Sequence, residues 1–373
     1  MFTLVTLLLL ALGSYIFLGL LLRGNIAPVP AFEQQWLPSV SVIVAAKNEE
    51  AYLRECLSAL GQLDYPEEKL EIIIVNDAST DRSAEIIETF QQNISTLIHI
   101  RLAEGEKPKQ GKAGALLIGI EKSHGEILFI TDADCIVPPT WIREVLLGFR
   151  EHIGVVGGFT LLIQPANLWQ KIQAYDWRFL LSIAAAASQL NKPISWVGNN
   201  LAVRRSTYEQ VGGYQNLDAG FVEDFVLIDV IERETAWQCR FFASPNSIVR
   251  THAADTVSQL IAQRKRWGIA ISAARPFGWW IMLTGFASHF LILISLFVAP
   301  LWGAIALLAK CSVDFLIFTQ SKSALQEPFN TSGFLLYEIY AIFHSILLPL
   351  LLLVDRRILW KGEQLSIPKN VSS

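Results

Sequence analysis

Short apolar runs alternate with segments of helical periodicity over residues 39–131 of the chain. The apolar runs are rich in Val and Ile, which favours β-strands, and most of them end in polar residues. Four strands are predicted, within 39–50, within 70–83, at 96–102 and at 126–131. Helices are predicted from Glu49 to about Leu60, up to about Gln92, and at 111–125. Strands that are apolar on both faces and alternate with helices predict an α/β fold, in which a mostly parallel sheet has helices on both faces.

Much longer apolar stretches lie near both ends of the chain. Residues 2–22 carry no charge, and residues 279–309 carry none apart from a possible one on a histidine. Each stretch is long enough to cross a hydrocarbon core of roughly 30 Å. Pro300 divides the second stretch, which predicts a hairpin of two membrane spans that continues to about Phe318. A last span is predicted at about 334–354.

These patterns divide the chain into four predicted parts. They are an N-terminal transmembrane anchor at 1–24, a cytosolic domain with amphipathic interface helices at 38–275, transmembrane helices at 278–355 and a basic tail at 356–373. The first apolar stretch could also be a secretory signal peptide. It lacks a basic start, however, and no typical cleavage site follows it, so we expect a retained anchor.

Basic residues near the spans predict the orientation of the chain. They are Arg23, Arg264, Lys265, Arg266 and Arg275. Lysine and arginine favour the cytoplasmic side, so we expect the domain to face the cytoplasm from a bacterial cytoplasmic membrane. The basic tail should be cytoplasmic as well, which conflicts with three C-terminal spans. We expect the segment with Lys310 and Asp314 to be interfacial or re-entrant, with the two charges paired.

Composition excludes some classes of protein. The net charge of -4 argues against nucleic acid as a partner. The four cysteines lie far apart with no C-x-x-C pair, which argues against a disulfide framework or a zinc site. The chain contains no P-loop motif and no G-x-G-x-x-G after the first strand, so the usual glycine-rich nucleotide sites are unsupported.

Acidic and polar loops follow the predicted parallel strands. They lie at 47–49, 77–81 and 132–134. The carboxyl ends of such strands share one edge of the sheet, where ligands bind. Asp132 and Asp134 would offer hard oxygen ligands to Mg2+ or Mn2+, which in turn would hold substrate phosphates. An ordinary strand-end turn also favours Asp, but the presence of Asp77 on the same edge favours the metal site.

The second half of the domain is less regular. Residues 166–190 are rich in aromatic side chains and fit either a core helix or a helix at the membrane surface. Glu223 and Asp224 stand at the start of a predicted helix, where carboxylates also have a purely structural role. Residues 255–275 are amphipathic and basic, which fits a positively charged flank of the next span.

Six motifs occur in order along the chain: VNDASTD, GKAGAL, TDADC, GNNLAVRR with VGGY, VEDF and QRKRW. This set resembles the membrane-bound, inverting family-two glycosyltransferases, to which cellulose, chitin and hyaluronan synthases belong. The resemblance covers roughly residues 38–275. It implies a fold of the GT-A type and a nucleoside-diphosphate-sugar donor, with a UDP-sugar favoured.

The resemblance also implies roles for single residues. Asp77 would contact the nucleobase or ribose of the donor, and Lys112 its uridine or phosphate end. Asp132 and Asp134 match the D-x-D pair, with Asp134 as the more direct metal ligand. Asp224 matches the catalytic base, which removes a proton from the acceptor hydroxyl group as that group attacks C1.

The remaining motif residues are implied at the diphosphate and the acceptor. Gln263, Arg266 and Trp267 match Q-x-x-R-W, and Arg266 would stabilise the diphosphate leaving group. Glu223 would lie on the acceptor side and is the second candidate for the base. Trp267 could stack on a sugar ring or act as a membrane-interface aromatic.

Several functions stay open at this stage. The chain is shorter than polymer synthases of the family, so transfer onto a lipid-linked acceptor and chain elongation on a glycan both fit. A catalytically inactive membrane scaffold is an alternative of another class, although all the motif carboxylates are present. A nucleotidyltransferase would not account for VEDF together with Q-x-x-R-W.

Overall fold

A computed structural model describes residues 1–26, 36–163, 165–194, 197–217, 222–271, 276–354, 358–360 and 363–365. The chain divides into two compact units. The sheet unit comprises the described residues within 29–163, 196–252 and 357–373, and the helical unit those within 1–28, 164–195 and 253–356.

The strands of the chain are short, as the apolar runs predict. They are β1 (Val40–Ala46), β2 (Leu70–Asp77), β3 (Leu97–Leu102), β4 (Ile127–Asp132), β5 (Ile153–Gly158), β6 (Thr160–Leu162), β7 (Leu201–Arg204), β8 (Gln238–Phe242), β9 (Val249–Thr251), β10 (Ile358–Trp360) and β11 (Glu363–Leu365).

The helices include several more than 20 residues long. They are α1 (Phe2–Arg23), α2 (Leu53–Leu60), α3 (Ser83–Gln91), α4 (Gly111–Glu121), α5 (Trp141–Leu146), α6 (Leu168–Gln189), α7 (Arg205–Gln210), α8 (Gly213–Asn216), α9 (Glu223–Glu234), α10 (Val257–Ile271), α11 (Pro276–Val298), α12 (Pro300–Leu325) and α13 (Thr331–Val354).

The main sheet has the strand order β3-β2-β1-β4-β7-β5-β8. The pairs β1–β2, β2–β3, β1–β4 and β5–β8 are parallel. The short strand β7 is antiparallel to both β4 and β5. The predicted α/β fold with a mostly parallel sheet is therefore confirmed, and the antiparallel direction of β7 is what the sequence pattern does not reveal.

Helices cover both faces of this sheet. Alternate residues of the central strands, such as Val42 and Ile74, pack in one apolar cluster with α2, α3 and α5. The opposite face carries α4, where Ala115 packs against Ile73 and Val75. Gly119 lets α4 approach this face closely, because a Cβ atom there would lie 2.7 Å from Ile43. The near-complete burial of β1 and β4 follows from their apolar residues on both sides.

The helical unit contains the apolar stretches. Within the part of the chain that the structure describes, α1, α11, α12 and most of α13 are long and apolar enough to cross a membrane. α6 packs in this unit, where Ile183 and Ala187 share an apolar cluster with Val313 and Ile317 of α12. α6 is thus a core helix of the helical unit, which is one of the two alternatives left open by its sequence.

The interfacial or re-entrant position expected for the segment with Lys310 and Asp314 stays a prediction. The segment forms part of α12, one continuous helix of 26 residues. Such a helix is roughly 39 Å long. The predicted ion pair does form, with Lys310 Nζ 2.9 Å from Asp314 Oδ2. Glu338 of α13 approaches the same ammonium group at 2.5 Å, so the charges are compensated inside the helical unit.

The predicted domain bounds remain predictions. α6 and α10 fall within the predicted domain at 38–275, and both group with the apolar helices of the helical unit. Arg275 and most of the basic tail lie outside the described residues.

Candidate active site

The carboxyl ends of three parallel strands position the acidic residues. Asp77 is the last residue of β2, and Asp132 is the last residue of β4. β1 runs between these two strands, with Ala45 in register with both Val75 and Asp132. The side chains predicted to lie on one edge of the sheet therefore do so, because parallel strands end on the same side.

Asp132 and Asp134 form an acidic pair with a cysteine beside it. Ligand atoms of Asp132, Asp134 and Cys135 all lie within 4.8 Å of one another. Asp134 also has Thr251 Oγ1 at 3.4 Å from its Oδ2 atom. Burial raises the pKa of the Cys135 thiol well above its usual range, so the thiol is neutral near pH 7. The two carboxylates are the hard oxygen donors that Mg2+ and Mn2+ prefer, and this donor set fits such an ion.

Lys112 supplies positive charge beside this pair. It lies in the first turn of α4, and its Nζ atom is 2.5 Å from Asp132 Oδ1 and 3.1 Å from Glu223 Oε1. Burial disfavours the charged amine, but the charges of Asp132 and Glu223 outweigh it and raise the pKa of Lys112 well above its ordinary value. Lys112 thus links the end of β4 to the start of α9, two elements far apart in sequence.

Asp224 occupies the first turn of α9, next to Glu223. Its Oδ1 atom accepts a hydrogen bond of 2.8 Å from the backbone N–H of Phe225. A Cβ atom at position 198 would lie 2.8 Å from Asp224 Oδ2, so Gly198 leaves the space that this carboxyl group fills.

The protonation of Asp224 differs from the expectation for a helix N-terminus. The residue keeps some exposed surface, but its carboxyl group is desolvated. Burial and the neighbouring charge of Glu223 raise the pKa of Asp224 to about 7, against the effects of Lys112 and two backbone N–H groups. Near neutral pH the ligand-free Asp224 therefore exchanges between carboxylate and acid, because burial and Glu223 offset the helix N-terminus.

Asp77 has a partner that the sequence analysis missed. Lys107 Nζ lies 2.6 Å from Asp77 Oδ2, and both side chains are largely buried. The loop before α4 carries a further lysine, Lys109, whose Nζ atom donates to the Leu217 carbonyl oxygen. The cluster of lysines in EKPKQGK was the available signal, since basic residues before a helix N-terminus suit an anionic ligand.

The Q-x-x-R-W residues lie on α10 of the helical unit. Gln263, Arg266 and Trp267 are all partly exposed. Trp267 packs edge-on against Trp177 of α6, with ring centroids 4.9 Å apart. Trp267 therefore has a packing role within its own unit, in addition to the two roles that its sequence position suggests.

Comparison with known proteins gives the family. The family model described as Glycosyl transferase family group 2 matches residues 127–353, and the model described as Glycosyl transferase family 2 matches residues 41–212. The chain belongs to glycosyl transferase family group 2. The resemblance inferred from the motifs is thereby confirmed, including for the segment that carries Q-x-x-R-W.

Two curated relatives fall in the same class. The chain is similar to the probable glycosyltransferase YdaM of Bacillus subtilis, with 31% identity over 62% of this chain and 54% of the relative. It is similar to the beta-monoglucosyldiacylglycerol synthase of Synechocystis, with 29% identity over 66% of this chain and 49% of the relative. The chain thus spans about half the length of these curated relatives.

One solved structure supports the fold. It is a mannosyltransferase from Pyrobaculum calidifontis, in complex with GDP-Man and Mn2+. The two structures superpose with a TM-score of 0.55 and 22% identity, over 92% of this chain and 98% of the other. This similarity concerns the fold, and it agrees with the GT-A type that the motifs imply.

Proposed function

We propose that this protein is a membrane-embedded, metal-dependent inverting glycosyltransferase. It moves a sugar from a nucleoside-diphosphate sugar, with a UDP-sugar favoured, to a lipid-linked or polysaccharide acceptor. The observation that carries the proposal is the Asp132–Lys112–Glu223 link. It connects the strand-end acidic pair to the helix start that carries Asp224, so the groups for leaving-group binding and for proton removal adjoin one another.

The donor end of the proposed site is built from the strand ends. Asp77 contacts the nucleobase or ribose, and Lys112 carries a positive charge for the phosphates. Asp132 and Asp134 would hold the metal ion, with Asp134 proposed as the more direct ligand. When bound, Mg2+ or Mn2+ would supply positive charge that neutralises the diphosphate leaving group. Arg266 is the arginine proposed for the same leaving group, since its charge does not titrate near neutral pH.

Asp224 is the proposed base. It accepts the proton of the acceptor hydroxyl group while the hydroxyl oxygen attacks C1 of the donor sugar. The new C1–O bond forms as the bond from C1 to the diphosphate oxygen breaks, and its electron pair leaves with the nucleoside diphosphate. Attack from the opposite side inverts the configuration at C1. A base with a pKa of about 7 is suited to this step near neutral pH.

A lipid-linked acceptor is our first choice. The helices α1, α11, α12 and α13 are long and apolar, and a relative at 29% identity is named a beta-monoglucosyldiacylglycerol synthase. We place the chain in a bacterial cytoplasmic membrane, with residues 38–275 on the cytoplasmic side. Gln263, Trp267 and Glu223 are the residues proposed for the acceptor side. Chain elongation on a glycan is the alternative outcome.

A panel of nucleotide sugars tests this function. The purified full chain in vesicles that contain diacylglycerol is incubated with UDP-, GDP- and other nucleotide sugars. Release of the nucleoside diphosphate and the mass of the lipid product are measured. We expect one donor to be consumed with a single sugar added to the lipid. A ladder of long products would favour elongation. A chain that consumes no nucleotide sugar, with or without Mn2+, would contradict the proposal and favour an inactive scaffold.

A matched variant distinguishes the activity of this protein from that of a contaminating enzyme. Asp224→Asn changes the proposed base without changing its size, so it should bind the same nucleoside diphosphate and consume little donor. Equal donor consumption by the variant would show that the measured activity does not come from this site.

A further inference from the structure

Arg264 lies between the Q-x-x-R-W residues and is almost completely buried. It follows Gln263 on α10 and is 2% exposed, whereas the motif side chains themselves are partly exposed. An arginine is rarely buried to this extent unless its charge is compensated. The sequence position of Arg264 suggests only a positively charged flank of a span, whereas its burial argues for a more specific role.

The compensating charge comes from α6. Arg264 Nη2 lies 2.6 Å from Asp176 Oδ2, and Asp176 is 4% exposed. The two atoms lie at ion-pair distance without hydrogen-bond alignment. Removal of one partner would leave the other charge buried and uncompensated, so the pair fixes α10 against α6.

The same guanidinium group contacts two of the motif side chains. Arg264 Cζ lies 4.2 Å from the ring centroid of Trp267, which is cation–π distance. Arg264 Nη1 lies 3.4 Å from Gln263 Oε1. Trp177 of α6 also contacts both residues. Its ring lies edge-on to Trp267, and the ring centroid is 5.9 Å from Arg264 Cζ.

We infer that Arg264 is a positioning residue for the transfer reaction. With Asp176 as its anchor, it holds Gln263 and Trp267 in the orientation in which they meet the acceptor. This inference rests on the proposed function of the Q-x-x-R-W segment. A flat guanidinium group can stack on Trp267 while it pairs with Asp176, and a lysine ammonium group cannot do both with the same geometry.

Another buried arginine provides a matched control. Arg178 lies on α6, two residues after Asp176, and is 6% exposed. Its guanidinium group donates to Ser321 Oγ and to the carbonyl oxygens of Glu327 and Pro328, at the end of α12. Arg178→Met therefore removes an equally buried cation from the same unit, with contacts away from α10.

Steady-state kinetics of the full chain in vesicles test the inference, with the donor and acceptor identified in the panel. We expect Arg264→Met to lower kcat/KM for the acceptor by about 10- to 100-fold, the cost of misplaced groups. UDP affinity measured by calorimetry should change less than acceptor kcat/KM, because the carboxylates and Lys112 belong to other elements and only Arg266 lies on α10. Arg264→Lys should recover only a small part of the loss. Arg178→Met should lower the melting temperature and leave kcat/KM near the wild-type value.

A double variant separates positioning from stability. Arg264→Met with Asp176→Leu removes both charges, so the melting temperature should return toward the wild-type value. Acceptor kcat/KM should stay low, because the contacts to Gln263 and Trp267 are still missing. Recovery of kcat/KM in the double variant, or wild-type kinetics in Arg264→Met, would overturn the inference and leave the proposed function intact. A wild-type chain that uses no donor would instead end the proposed function and the kinetic role of Arg264 with it.

Discussion

At the scale of single residues, opposing influences determine the protonation state of the Asp224 carboxyl group. Its place at the start of α9 and the N–H of Phe225 favour the carboxylate. Burial and the charge of Glu223 favour the protonated acid, and they are the stronger influence, since the pKa rises to about 7. A group with this pKa exchanges a proton readily near neutral pH, which an ordinary surface aspartate does not.

Asp224 should therefore control the pH dependence of turnover. Because the base acts only when deprotonated, kcat/KM, which reports the free enzyme, should fall as the pH drops below about 7. Asp224→Asn should lower turnover by about two to four powers of ten, the range that general-base catalysis supplies, with donor affinity nearly intact. Rates are measured from pH 5 to 9 and affinity by calorimetry, with Asp77→Ala as the control that should weaken donor binding. Normal turnover in Asp224→Asn would move the base to Glu223, and joint loss of turnover and affinity would make Asp224 a donor-site residue.

The raised pKa of Asp224 also predicts that its carboxylate destabilises the folded protein at alkaline pH. A carboxyl group whose folded pKa lies above its unfolded value stabilises the fold at low pH and loses that contribution as the pH rises through about 7. Ligand-free Asp224→Asn should thus melt at a higher temperature than the wild type at pH 8, with the difference shrinking toward pH 4. A difference that does not vary with pH would mean that the carboxyl group is not strained by burial.

The acidic pair predicts dependence on a divalent ion. Activity should be lost in chelator and return with Mn2+ or Mg2+, because the leaving diphosphate needs compensating charge. Asp134→Asn should lower the affinities for both Mn2+ and UDP, measured by calorimetry. Asp64→Asn, which removes an exposed carboxylate paired with Arg143, is the control and should change neither. Full activity after exhaustive chelation would contradict the metal site.

At the scale of elements, local pattern predicted the strands and helices near the active edge well. The β-branched runs of the sequence predict β1, β2 and β4. The helices between these strands predict that they run parallel. The antiparallel pairing of β7 could not be predicted, because the place of a four-residue strand between β4 and β5 depends on distant partners. The Lys112 link to Glu223 was hidden for the same reason, since only the folded sheet brings α4 and α9 together.

The charges of α12 have partners that their sequence positions only partly predict. Lys310 and Asp314 in an apolar stretch suggested an interfacial segment, because charges in a membrane are costly. Sequence could not reveal that Glu338 approaches Lys310 and that the Tyr15 hydroxyl group donates to Asp314 at 2.7 Å. With partners on α1 and α13, the charges are compatible with a continuous helix.

The ion pairs of Lys310 with Asp314 and Glu338 predict that two charge-removing substitutions reduce stability by different amounts. Lys310→Met leaves two buried carboxylates without their cation and should cost about 3 kcal/mol or more in the free energy of unfolding. Glu338→Gln leaves Lys310 paired with Asp314 and should cost much less. Stability is measured by denaturant unfolding in mixed micelles. Similar losses in the two variants would mean that the network does not act through charge compensation.

At the scale of the whole molecule, the sequence motifs divide between the two units. Asp77, Lys112 and the carboxylates belong to the sheet unit, and Gln263 and Trp267 belong to the helical unit with the apolar helices. This division matches the proposed chemistry. A nucleotide sugar is a soluble ligand and suits the edge of a sheet, whereas residues proposed to meet a lipid acceptor are best placed among helices that are long and apolar enough to cross a membrane.

The orientation of the whole chain can be tested from both sides of the membrane. Basic residues after α1 and before α11 predict that the sheet unit lies in the cytoplasm and that the turn between α11 and α12 lies outside. The four native cysteines are replaced, and single cysteines are introduced at exposed Thr80, near Asp81, or at exposed Leu301. In intact spheroplasts, a membrane-impermeant maleimide should label Leu301→Cys and should reach Thr80→Cys only after permeabilisation.

Labelling of Leu301→Cys is the control, because it shows that the reagent reacts with this chain when Thr80→Cys stays unlabelled. Labelling of Thr80→Cys in intact spheroplasts would reverse the orientation, and the donor site would then face away from the cytoplasmic pool of nucleotide sugars.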